Sequence, residues 1–200
     1  MTRLHAIGLT VVGLVLTTAP GARAADRQIR PFVGVEFAGD TTIVDVEHAA
    51  SNAHATLGIN AARLGEIVGF DVDAAWTPGF FENDAHLVLG SSVSTVVGDV
   101  VIAAPRRLTE YSLRLYFVAG GGIMRVTKTE SIPALSVSDT LPTWDAGIGA
   151  LGFVTNRVGL SWEVRRFQSF GASKQLTGVT VGGPERLSFW RASMAAVFRY

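Results

Sequence analysis

Charged side chains stand in this chain at alternate positions of otherwise apolar stretches. In "IVGFDVDAAW", Asp71 and Asp73 share a face with Gly69, while Val68, Phe70, Val72, Ala74 and Trp76 form the other. Successive side chains of a strand point to opposite faces. Two aspartates on one face of an apolar strand do not suit a dry sandwich core; they suit a face that lines a polar interior. The same alternation puts Glu36, Arg114, Asp145, Glu163, Arg165, Arg191 and Arg199 on equivalent faces. If the strands close into a barrel of eight, its interior is only wide enough for side chains to fill. Buried charges persist when paired and hydrogen-bonded. Glu36, Asp71, Asp73, Arg114, Asp145, Glu163, Arg165, Arg191 and Arg199 are therefore expected to form a structural network in the lumen and not an ion path.

The histidines are the residues from which catalytic chemistry could be built. "EHAASNAH" places His48 and His54 around Ser51, and His86 follows in a second connection. A serine, a histidine and an acid can form a triad, but spacing within one loop does not define that geometry, and no GxSxG elbow is present. Polar loop composition accounts for these residues, and no catalytic residue is assigned. His48, His54 and His86 also lack a recognised metal-ligand spacing, so no metal and no cofactor is expected. "AGGGIM" lacks the Lys-Ser/Thr of a phosphate-cradling loop; its glycines are read as permitting strand bending or close packing in a narrow barrel. Arg106 and Arg107 in "APRRLTE" are read as an ordinary solvated turn.

The elements that must position these residues follow from composition and patterning. Arg3, the apolar run "AIGLTVVGLVL" and "ARA" at 22–24 read as an export signal. Residues 1–24 are set aside as cleaved and residues 25–200 are taken as one domain. The absence of cysteine excludes a disulfide framework and thiol chemistry. Seventeen basic and seventeen acidic residues give no net charge, so nothing favours nucleic acid as a partner. Hydrophobic residues make up 48% of the chain, yet outside the signal no run reaches helical membrane length. Apolar residues that are abundant but never continuous must alternate, as in a barrel that meets lipid.

Eight segments carry the strand pattern: 31–37, 56–62, 67–76, 91–104, 111–121, 143–153, 158–167 and 187–200. The fourth is ambiguous, because valines occupy both faces around Asp99, and which of Val96 and Val97 faces outward is left open. The connections at 39–53, 77–88, 127–142 and 169–187 are long, and those at "RLG", "APRRL" and "TNR" are short. This alternation matches transmembrane barrels, with short periplasmic turns and longer outer loops. Trp76 and Trp144 are placed at strand ends near the outer interface, and Phe198 and Tyr200 at the periplasmic one.

With a signal, eight alternating strands and the closing segment "MAAVFRY", the chain resembles the small outer-membrane β-barrel proteins of Gram-negative bacteria, of the OmpA transmembrane-domain, OmpX and opacity-protein type. The resemblance implies an all-β, eight-stranded antiparallel up-and-down transmembrane barrel, reaching the bacterial outer membrane through the Sec pathway. It further implies contact with outer-membrane lipid and lipopolysaccharide. In that family the barrel assembly machinery recognises the last strand, matched here by Met194, Ala196, Phe198 and Tyr200; Tyr200 stands where Phe is more common. The role expected is structural or surface-interaction, by a monomer and not an enzyme. Two rivals stand beside it: an outer-membrane lipid-modifying enzyme of deacylase or phospholipase type, and a soluble exported lipocalin-like barrel with the two faces exchanged.

Overall fold

In the computed structural model, residues 26–41, 53–80, 88–105, 113–130, 137–170, 175–176, 179–180 and 186–200 are described. Strands β1 (Asp26–Thr41), β2 (His54–Leu64), β3 (Val68–Pro78), β4 (Val88–Ala103), β5 (Leu113–Glu130), β6 (Val137–Phe153) and β7 (Val158–Ser169) run in sequence. A two-residue hairpin of β8 (Gln175–Leu176) and β9 (Val179–Thr180) follows, and β10 (Leu187–Arg199) closes the ring against β1. All eight barrel pairings are antiparallel. The expected signal at 1–24 lies outside the described residues.

Closure fixes the barrel's dimensions. A circuit of paired residues that leaves β1 at Phe37 passes through Trp190, Arg166, Ala146, Ala119, Val100, Phe70 and Arg63. It returns to β1 at Arg27, ten residues from its start. Eight strands with a stagger of ten residues tilt by about 40° and enclose a cylinder of about 8 Å radius at ordinary strand spacings. At that tilt even the 11-residue strands β2 and β3 rise about 28 Å along the axis, close to the ~30 Å of a hydrocarbon core.

The two faces have opposite character. Val33, Ile59, Val72, Leu115, Phe117, Ile148 and Trp162 point outward and are exposed. Glu36, Asp71, Asp73, Asp145, Arg165 and Arg191 point inward and are buried. In β4 the ambiguity resolves with Val96 outward, 46% exposed, and Val97 inward, 1% exposed.

The interior is not polar throughout, as the alternation had suggested, but layered. Toward the loop end, Phe80, Val93, Val97, Met124, Val126, Leu141, Phe167, Leu187 and Phe189 form an apolar plug. Toward the turn end a second apolar cluster includes Leu64, Val101, Tyr116, Val118, Leu151 and Val197. The charges lie between them.

Three boundaries depart from the sequence reading. β5 and β6 stay paired as far as Lys128 and Val137, so the long connection expected at 127–142 shrinks to 131–136. β4 ends at Ala103, one residue short of the expected segment; residues 106–112, with the turn expected there, lie outside the described residues. Trp144 therefore stands as the eighth residue of β6 rather than at a strand end.

"AGGGIM" lies inside β5, and its glycines are needed for close approach. A Cβ on Gly122 would meet the backbone of Val96 and Val97, with the Val97 Cα 2.7 Å away, whereas one on Gly98 would meet nothing within 4 Å. We predict that Gly122→Val destabilises the barrel by about 3 kcal/mol or more and that Gly98→Ala leaves it unchanged. Urea unfolding followed by tryptophan fluorescence checks both; an unaltered Gly122→Val midpoint would contradict the register of β4 against β5.

Candidate functional site

The chemistry of the interior centres on Arg165. It extends from β7, fully buried, and its guanidinium meets four carboxylates carried by four different strands. Its NH2 group lies 3.2 Å from Asp71 Oδ2 and 3.2 Å from Glu163 Oε2, and NH1 lies 3.1 Å from Asp145 Oδ2. NH1 also donates to Asp99 Oδ2, and Nε to Glu163 Oε1. Hydrogen bonds to charged partners in this water-poor setting are the strong ones.

The register explains the convergence. Asp71, Asp99 and Asp145 lie in one paired row, with Gly120 between the last two. Arg165 stands in the next row beside Gly147. A Cβ on Gly147 would lie 2.7 Å from Arg165 Cγ, and one on Gly120 would collide with Asp99. The two glycines leave the channel through which the arginine reaches across.

Two further groups flank this centre. Arg191 NH2 lies 2.8 Å from Asp73 Oδ1, and its guanidinium sits 4.7 Å from the ring centroids of both Phe32 and Phe167, a cation held between two aromatic faces. Tyr116 donates its hydroxyl to Glu163 Oε2 at 2.9 Å, and Arg30 lies over the Tyr116 ring while donating to Gln28 Oε1 at 2.7 and 3.0 Å. Glu36 is buried in the row of Arg191 and Arg165.

The structure thus brings Asp71, Asp145, Glu163 and Arg165 into direct contact and puts Asp73 with Arg191. Arg114 and Arg199, expected in the same network, stand apart at the turn end. Arg114 donates to the carbonyls of Ala104, Gly65 and Glu66. Arg199, with a 27% exposed side chain, pairs with Asp26 at 2.9 Å and lies over Phe153. Both fall where the strands give way to turns, out of reach of the central carboxylates.

Asp99, Arg30 and Gln28 were missed. Asp99 was hidden by valines on both faces of its segment. Arg30 and Gln28 continue the inward even positions of β1, a signal that extending the alternation toward Asp26 would have exposed.

Among the interface residues, Trp76 (49% exposed) and Phe198 (46%) face outward, and the Tyr200 N–H donates to the Arg27 carbonyl at 3.1 Å. His54 packs against Phe80, ring centroids 5.5 Å apart; His48, Ser51 and His86 lie outside the described residues. Among the described residues no group of three or more His, Asp or Glu is arranged to hold a metal. The arrangement ties four carboxylates to one cation in a charged belt with apolar layers above and below it.

No protein-family model matches the chain, and no curated protein matches it. Solved structures do. Neisserial surface protein A is similar with a TM-score of 0.60 at 13% identity, the match covering 90% of this chain and 99% of that one. The outer membrane protein OprG from Pseudomonas aeruginosa gives a TM-score of 0.60 at 11% identity, covering 90% and 98%. Ail, the attachment invasion locus protein of Yersinia pestis, gives 0.52 at 12%, covering 88% and 100%. At these identities the likeness establishes the architecture: this chain has the fold of the small eight-stranded outer-membrane β-barrels.

Removing the central cation exposes its role. Arg165→Met, which leaves four carboxylates without their shared partner, is expected to cost about 3–5 kcal/mol. Adding Asp99→Asn to that variant should restore part of the loss, a coupling of about 0.5–3 kcal/mol. Urea midpoints of the two single variants and the double variant measure this; strict additivity would show that the cluster is not one unit.

Proposed function

We propose that this chain is an outer-membrane protein, exported through the Sec pathway and inserted as a monomeric barrel, with a structural or surface-interaction role served by its loops. The observation that carries the reading is the inverted polarity of the barrel. Phe117 (64% exposed), Leu115 (60%), Ile148 (58%) and Val33 (54%) stand on the outside, while Asp71, Asp73, Asp145, Arg165 and Arg191 are buried inside. A water-soluble ligand-binding barrel needs the reverse, an apolar cavity within and a polar coat without. Contiguous outward apolar surface on this scale calls for lipid.

The layered interior bears on the role. A path for ions requires polar groups from one mouth to the other, and here Phe80, Phe167 and Phe189 pack together at the loop side, with ring centroids 5.2 and 5.4 Å apart. The barrel is a sealed scaffold and not a pore. His54 packs against Phe80 in that plug, which suits a packing residue better than a catalytic base. The partners in this reading are outer-membrane lipid and lipopolysaccharide around the belt, and the barrel assembly machinery, which engages Met194, Ala196, Phe198 and Tyr200 of the last strand.

Two measurements test this reading. The protein should be recovered in the outer-membrane fraction and change its mobility on a denaturing gel when boiled. In planar bilayers it should show no steady conductance. Recovery in the soluble periplasm without a mobility change would overturn the membrane reading, and a sizeable steady current would overturn the seal.

A further inference from the structure

Resting on the membrane reading, we propose that the outward surface of β4–β7 and β10 holds one molecule of a phosphorylated acyl lipid of the outer leaflet, the lipid A part of lipopolysaccharide, with Arg166 binding its phosphate. The outer wall is not evenly covered. A groove of about 520 Å³ runs across these strands, within the size range of ligand sites. Its floor is Ala119 and Ala146, paired across β5 and β6. One wall is the adjoining register row of Ile102, Phe117, Ile148 and Val164. On the other side the next row contributes Gly98 and Gly121, so that edge is low over β4 and β5 and rises at Trp144 on β6.

The groove has direction. The floor row continues from Val100 through Ala119 and Ala146 to Arg166 and Trp190. Four strand spacings make about 19 Å, and at a tilt of about 40° that row descends about 12 Å, most of the ~15 Å depth of one leaflet. Its upper end is Arg166 and Trp190, each the fourth residue from the loop side of its strand. An acyl chain laid along the floor therefore has its head at Arg166.

Arg166 is suited to that head. Its inward neighbours on β7, Arg165 and Phe167, belong to the interior, while Arg166 stands outward in the apolar belt. Its guanidinium rests over the Trp190 ring, 5.5 Å from the centroid. Among the described residues no hydrogen bond or ion pair engages it. A cation on the outer belt is costly unless it reaches polar headgroups or an anion. A guanidinium steadied by an indole and offering a fork of donors matches a phosphate. Small floor, bulky wall and a poised cation at the loop-side rim match one acyl chain and one phosphate of an outer-leaflet lipid A.

The test uses full-length protein extracted folded from outer membranes and titrated in detergent with hexa-acylated lipid A or, in parallel, with phosphatidylglycerol, bound lipid being read by native mass spectrometry. The variants are Arg166→Gln, Ala119→Phe to fill the floor, and Arg125→Gln as an outward charge control away from the groove. All should retain heat-modified mobility. The expected result is saturable binding of one lipid A, weakened about tenfold by Arg166→Gln and by Ala119→Phe and unchanged by Arg125→Gln. Equal affinity in all variants, no saturable binding, or phosphatidylglycerol binding as tightly as lipid A would overturn the site while the barrel's membrane location stands. Recovery of the chain in the soluble fraction would overturn both.

Discussion

One buried guanidinium organises the centre of this barrel. Arg165 is shared by carboxylates from β3, β4, β6 and its own strand, so four positions of the ring are tied to a single point. Every one of those carboxylates is oriented by register, because a slip of one residue along any strand sends the charge to the outer face. The cluster and the ring therefore specify each other: the stagger of ten residues brings Asp71, Asp99 and Asp145 into one row, and their charges have a partner only in that register. The glycines at 120 and 147 belong to the same design, since side chains there would occupy the space the arginine crosses.

Apolar layers lie on either side of the charges. They keep water from the ion pairs, which strengthens each pair and raises the cost of leaving one unmade. They also interrupt any polar path along the axis. The outer wall is the surface with variety: broad apolar sectors, a trough where Ala119 and Ala146 replace large residues, and an arginine at its rim. In the proposed reading, interaction with the surroundings falls to the wall and to the loops.

Much of this was legible because the period of two is strict where one face is charged. Strands β1, β2, β3, β5, β6, β7 and β10 each announced their inward face through Glu36, Asn60, Asp71, Arg114, Asp145, Arg165 or Arg191. β4 did not, since its inward residues Val93, Val97 and Val101 belong to the apolar layers and resemble the outward Val96 and Val100. Alternation of hydrophobicity reports a face only where the two environments differ. The ends of β5 and β6 were obscured by Thr127, Lys128 and Pro142, which read as loop residues but sit in strands long enough to project past the belt; Pro142 nonetheless pairs with Ile123 in register and accepts a hydrogen bond from the Phe170 N–H at 2.8 Å. Arg114 and Arg199 had the right parity, yet parity carries no height, and height assigned them to the turn end.

The central claim is that the apolar face meets lipid while the charged face is sealed within. All four tryptophans of the chain, Trp76, Trp144, Trp162 and Trp190, occupy outward positions. Fluorescence of the protein folded into vesicles of lipids brominated on the acyl chains tests the claim most directly. Strong quenching by the bromines, with little quenching by acrylamide from the water, is the predicted result. Emission that ignores the brominated chains would contradict the account, because it would place the indoles inside the barrel and the charges outside.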